Sequence, residues 1–228
     1  MYNVIYNDVS CLDLGILAVK RPSIPAPLIR QEEYEIPGRD GVLLSTVKSY
    51  SPIEIPIEFN FMAKVDDFGH FYRKLKNWIR KPGELLLSDD LDVFYKCYKA
   101  EVTDTNRTSK RIGTFTILFS CEPWTYYNDG AKEHEIADCL YNPYDPCRPV
   151  YHISAGGEFT LTVNGNTFTG TSPGDLFIDV DKMSSYDNSG VLKNTLVTGD
   201  YNELILNEGE NTISCSLAMT IKPGWRSL

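Results

Sequence analysis

From Arg21 to Phe61 the sequence leaves almost no room for a helix. Pro22, Pro25 and Pro27 each fix their own φ and restrict the residue before them, so this loop must run extended. Glu32 to Pro37 follows as a short strand-like run, then the turn Gly38-Arg39-Asp40-Gly41. Val42, Leu43 and Leu44 begin a returning strand, which predicts a hairpin with a glycine at each side of its loop. Beyond Pro52, the residues Ile53, Ile55, Ile57, Phe59 and Phe61 alternate with Glu54, Pro56, Glu58 and Asn60. That period of two marks a strand with one buried face. Pro56 has no N–H to give to a ladder, which places it at an edge or a bulge.

The rest of the chain repeats the theme with one interruption. Tyr2 to Val9 reads as a first strand. Phe68, Phe71, Tyr72, Leu75, Trp78 and Ile79 follow the three-and-four spacing of an amphipathic helix, which Asp66-Asp67 can cap and Pro82-Gly83 ends. Arg73, Lys74, Lys76, Arg80 and Lys81 gather toward its end, where the helix dipole favours cations. Glu84–Leu87 and Val93–Val102 read as strands, Asp104 to Gly113 as a mobile basic loop. Phe115, Ile117, Phe119 and Cys121 form one face of a further strand.

A first domain over 1–126, a linker over 127–149 rich in Asn, Asp and Pro, and a second, all-strand domain over 150–228 follow from this pattern. In the second, Asn164-Gly165 is a tight-turn signal, Phe177 to Asp181 and Leu204 to Leu206 read as strands, and Asn207 to Asn211 is a turn before Ile213, Cys215, Leu217, Met219 and Ile221. Short strands with no helix favour a β-sandwich. The formal charge of −9 is concentrated: from Tyr127 onward 6 Lys and Arg face 14 Asp and Glu. That balance argues against nucleic-acid recognition by this half. No run approaches the length of a membrane helix, and Met1 to Ser10 lack the regions of a signal peptide, which points to folding in a cytosol. In that compartment the six cysteines are expected as free thiols.

Candidate chemistry is sparse. His134, Cys139, Cys147 and His152 supply a zinc-compatible ligand set, but without the tight pair spacing of short zinc motifs, and the expectation is no metal. His70 lies on the helix with no nucleophile signature nearby. Asp89, Asp90 and Asp92 suit a solvated hairpin turn. Asp179 and Asp181 flank Val180 in a strand, and Asp187 and Asn188 only loosely complete a calcium set. No phosphate-binding or dinucleotide-binding loop is present, so no cofactor and no enzymatic activity are expected. The basic helix face reads as a solvated surface over a buried aromatic seam.

The proline loop, the E-x-x-x-I-P-G-R-D-G hairpin and the alternating strand resemble the distal tail protein (Dit) family of siphoviruses and prophages of Gram-positive hosts. Asn142 followed by Pro149-Val150-Tyr151-His152-Ile153 is similar to that family's second domain, as are Phe177 to Asp181, Gly209 to Ile213 and the ending Pro223-Gly224-Trp225-Arg226-Ser227-Leu228. The resemblance implies a mainly β fold: a β-sandwich-like ring domain with one helix, then a galectin-like β-sandwich. It implies a structural role at the virion tail tip or baseplate, after synthesis in the bacterial host cytoplasm. The partners it implies are further copies in a six-fold ring, the major tail tube protein, the tail-associated hub protein and a receptor-binding protein, with no membrane contact. For the ring interface the expected residues are Ile36, Arg39, Asp40, Ile53, Ile55 and Pro56. A lectin-like alternative would use Tyr201 and Trp225 to stack on sugar, although 228 residues leave no room for the inserted sugar-binding module of larger relatives.

Overall fold

A computed structural model describes residues 2–38, 40–62, 68–107, 109, 111–136 and 138–228. The chain is built mainly of strands and divides into two compact units, at Thr125 and Tyr126.

In the first unit the strands are β1 (Val4–Tyr6), β2 (Val9–Ser10), β3 (Ile16–Ala18), β4 (Ile29–Glu35), β5 (Val42–Tyr50), β6 (Ile53–Met62), β7 (Gly83–Leu87), β8 (Asp90–Arg107) and β9 (Ile112–Tyr127). The helix α1 (Phe68–Trp78) lies between β6 and β7. Strands β2-β1-β7-β8-β9-β6-β3 form one sheet in that order, and β4 and β5 form a separate two-stranded sheet. The alternation read in β6 is realised: Ile53, Ile55, Ile57, Phe59 and Phe61 are buried while Glu54, Pro56 and Asn60 are exposed. Their partners on β9 belong to the same face, with Ile55 opposite Phe119, Ile57 opposite Ile117 and Phe59 opposite Phe115. Ring stacking of Phe59 on Phe115 at 5.6 Å ties the two rows together.

Helix α1 lays its predicted apolar stripe on this sheet. Leu75, Trp78 and Ile79 are buried, Phe71 stacks on Phe61 at 4.8 Å, and Trp78 meets Tyr6 and Phe59 edge-on. The Trp78 indole N–H donates to the carbonyls of Tyr6 (3.1 Å) and Val9 (3.2 Å), which pins the helix to the strand pair β1–β2. The proposed cap, Asp66-Asp67, lies outside the described residues. Both ends of the expected loop over 104–113 are strand instead: β8 runs on to Arg107 and β9 starts at Ile112. Cys97 and Cys121, expected free, pair as a disulfide between β8 and β9.

The second unit contains β10 (His134–Glu135), β11 (Cys139–Asn142), β12 (Val150–Ile153), β13 (Gly156–Val163), β14 (Asn166–Pro173), β15 (Leu176–Asp179), β16 (Ser184–Tyr186), β17 (Val197–Thr198), β18 (Gly209–Cys215) and β19 (Met219–Lys222). They form two five-stranded sheets, β10-β19-β12-β15-β16 and β11-β18-β13-β14-β17. Tyr151, Ile153, Leu176, Ile178 and Ile221 of the first share one core with Phe159, Leu161, Val163, Phe168 and Ile213 of the second. This is a β-sandwich. Asn164-Gly165 makes the β13–β14 hairpin with positive φ at both residues (50° and 87°), as a type I′ turn requires. The stretch 127–149, expected as a linker, lies within this unit and gives it β10 and β11, one in each sheet. Leu204 to Leu206, expected as a strand, ends a 3-10 turn, with Leu206 bridging Cys147.

Candidate assembly interface

The hairpin β4–β5 is an arm. Its register pairs Glu35 with Val42, Tyr34 with Leu43 and Ile29 with Tyr50. At the tip, Gly38 and Gly41 both take φ of 83°, which side chains with a Cβ rarely adopt. Alternation puts Tyr34 and Leu43 on one face and Glu35 and Val42 on the other. In the isolated chain both faces meet solvent: Tyr34 is 49% exposed, Leu43 46% and Val42 44%, with Ile36, Ile29 and Leu28 exposed beside them. The buried core of this unit includes Ile16 and Ile53, whereas Ile29, Tyr34, Ile36, Val42 and Leu43 between them are exposed. An isolated two-stranded hairpin is marginal in water, and exposed apolar residues in a row mark a surface that is covered elsewhere. At its base Tyr50 packs edge-on against Trp124 at 5.6 Å, and Ser51 N donates to Leu28 O at 2.7 Å.

The six expected interface residues fall into three groups. Ile36 and Asp40 are exposed on the arm, and Arg39 lies outside the described residues. Ile53 and Ile55 are turned into the core (4% and 0% exposed), so they offer only backbone. Pro56 sits on an open edge for a clear reason. Glu58 O accepts from Val19 N at 2.9 Å, so the even-numbered residues of β6 direct their backbone groups toward the β3 side. Strand β3 pairs only with Phe59, Asn60 and Phe61, and stops short of Pro56. The missing N–H therefore falls where no described strand would receive it. Leu28, Ile29 and Leu43, which the sequence did not single out, are exposed on the same hairpin or at its base.

The remaining candidates are dispersed. His134 meets the Asp129 carbonyl at 2.9 Å, His152 meets the Asp175 carboxylate at 3.0 Å, Cys139 is exposed on β11, and Cys147 is buried, with burial pushing its thiol up to about 12. Among the described residues no group of three or more His, Cys, Asp and Glu could hold a metal ion. His70 is exposed on α1. Asp90 caps its own turn through Asp92 N, and Asp89 pairs with Arg21 at 2.9 Å. Asp179 ends β15 while Asp181 falls in the following turn, so the two do not share a strand face. Asp179 is buried and bonded to Lys182 Nζ (2.8 Å) and Tyr186 Oη (3.3 Å); that hydrogen bond raises the Lys182 pKa. Tyr201 and Trp225 are not open stacking rings. Trp225 is buried, and Tyr201 packs on Phe168 at 5.1 Å with its hydroxyl bonded to Ser185 Oγ at 2.8 Å. No helix among the described residues is long and apolar enough to cross a membrane.

Comparison with known proteins adds a family match and a fold likeness. Residues 13–121 match the family described as phage tail protein RIFT-related domain. The first unit carries a phage tail protein domain. Its fold as a whole is similar to the crystal structure of the SPP1 Dit (gp 19.1) protein, described as a paradigm of the hub adsorption apparatus in phages infecting Gram-positive hosts. The two share 14% identity with a TM-score of 0.68, and the match covers 97% of each chain. The fold likeness thus spans both units, while the family match lies in the first. No curated protein matches the sequence.

Proposed function

We propose that this chain is a ring-forming adaptor of the tail tip. Six copies close a ring through their first units, the ring continues the tail tube, and its far side receives the tail-associated hub protein. The sandwich unit is then free to hold a receptor-binding protein. The observation that carries this reading is the arm, whose two faces expose Tyr34, Leu43 and Val42 outside the core of its own unit. The family match and the two-unit likeness to the SPP1 Dit protein support it. On this reading the chain is synthesised in the host cytoplasm, ends in the virion tail tip, and has no catalytic duty. The lectin-like reading loses support, since Trp225 is buried in the sandwich core and Tyr201 is half-buried against it.

Light scattering across a concentration series, followed by negative-stain imaging, tests the proposal. The expected result is a six-fold ring with a central bore, lost when the arm is replaced by a short Gly-Ser turn while the far-ultraviolet spectrum stays that of a β protein. Monomers at every concentration, with and without purified tail tube protein, would overturn it.

A further inference from the structure

Helix α1 and strand β8 border a groove of about 350 Å³ on the first unit. Its apolar lining comes from Tyr72, Ile79, Ala100 and Val102, and Lys76 and Arg80 stand along it. Both cations are exposed, as are Arg73, Lys74 and Lys81 around them. Glu101, the carboxylate in the lining, is ion-paired with Lys99 at 2.8 Å. The groove therefore presents apolar side chains with an excess of positive charge at its border. The arm has the opposite composition: residues 31–43 carry Glu32, Glu33, Glu35 and Asp40 against Arg39, interleaved with Tyr34, Ile36, Val42 and Leu43.

We propose that the arm of one copy seats in the α1–β8 groove of the next. The inference rests on the ring reading and names its contact. In it Val42 covers the apolar lining, while Glu35 on the same face and Asp40 near the tip approach Lys76 and Arg80. Sizes agree: a helix of eleven residues runs ~16 Å, the reach of about five extended strand residues. The chemistry also explains why a chain of net charge −9 keeps five cations and no carboxylate between Arg73 and Lys81. Arm and groove are different surfaces of one unit, so the contact is head-to-tail, and each copy has one of each to offer. Such a contact propagates around a ring, whereas a self-complementary patch stops at a dimer.

The test is cross-linking in a Cys139→Ser background, which removes the exposed native thiol. Val42→Cys, Ala100→Cys and the double variant are treated with a short bismaleimide at high protein concentration and run on denaturing gels. The proposal expects a ladder beyond dimer from the double variant alone, with neither single variant passing dimer. A second arm uses charge: Lys76→Glu/Arg80→Glu should lower the assembled fraction at least tenfold, and adding Glu35→Lys/Asp40→Lys to the same chain should restore it. No ladder and no charge effect, from a chain that still forms rings, would overturn this contact and leave the ring reading standing. A fast-migrating cross-linked monomer, showing the arm in its own groove, would overturn it as well. No ladder together with a wild-type chain that stays monomeric with and without purified tail tube protein would overturn both.

Discussion

Replacing Trp78 by Phe should loosen the helix on which the proposed groove depends. Trp78 is 7% exposed, and its indole N–H serves two backbone carbonyls, those of Tyr6 at 3.1 Å and Val9 at 3.2 Å. Phenylalanine keeps a ring near Tyr6 and Phe59 but has no donor. Leaving a buried acceptor unpaired costs about 1–3 kcal/mol. The smaller ring removes the equivalent of about two methylenes from a packed site, roughly 1–2 kcal/mol more. The sum, about 3 kcal/mol, corresponds to a drop on the order of 10 °C in the melting temperature of a unit of this size. Thermal melts by circular dichroism measure it. Tyr6→Phe is a useful companion, because the Tyr6 hydroxyl donates to Lys81 O at 2.7 Å just past the same helix. It should cost about 1 kcal/mol alone, and less than that when Trp78→Phe is already present, since both act by holding one element. A Trp78→Phe variant that melts within about 2 °C of the parent would refute the reasoning: the two carbonyls would not depend on the indole, and α1 would be held by apolar packing alone.

Asn211→Ala should destabilise the sandwich by about 2–4 kcal/mol, read as a lower denaturation midpoint, because this fully buried amide bonds the Asn207 N–H and carbonyl, Gly209 O and Asn164 Nδ2. Thiol titration of the unfolded chain should find four reactive groups without reductant and six with it, and in the native chain Cys139 should react first. Burial raises the Cys147 thiol to about 12, above its unfolded value of ~8.5, so its contribution to stability is complete below that lower value and is lost as pH climbs toward the higher one. Between about pH 9 and 11 the parent should therefore lose stability faster than Cys147→Ala, by up to ~1.4 kcal/mol per pH unit; parallel pH curves would contradict this.

The sequence by itself determined the elements whose signal is local. A strict period of two over Ile53–Phe61 and Phe115–Cys121 could only be two half-buried strands, and the register then set their apolar rows against each other. The spacing of Phe68 to Ile79, closed by Pro82, could only be a helix with one covered face. Pro56 announced an edge or a bulge because its missing N–H is a property of the residue itself. Only the tertiary structure decided what depends on a distant partner. Trp225 read as an available ring until the core closed over it, Tyr201 is half-buried against that core, and 127–149 read as a linker until β18 and β19 supplied its ladders. Asp179 and Asp181 parted because the strand ends between them. The arm is the reverse case: nothing local in Leu43 or Val42 says that they stay uncovered. Their exposure follows from where the rest of the unit packs, and on the proposed reading a second copy covers it.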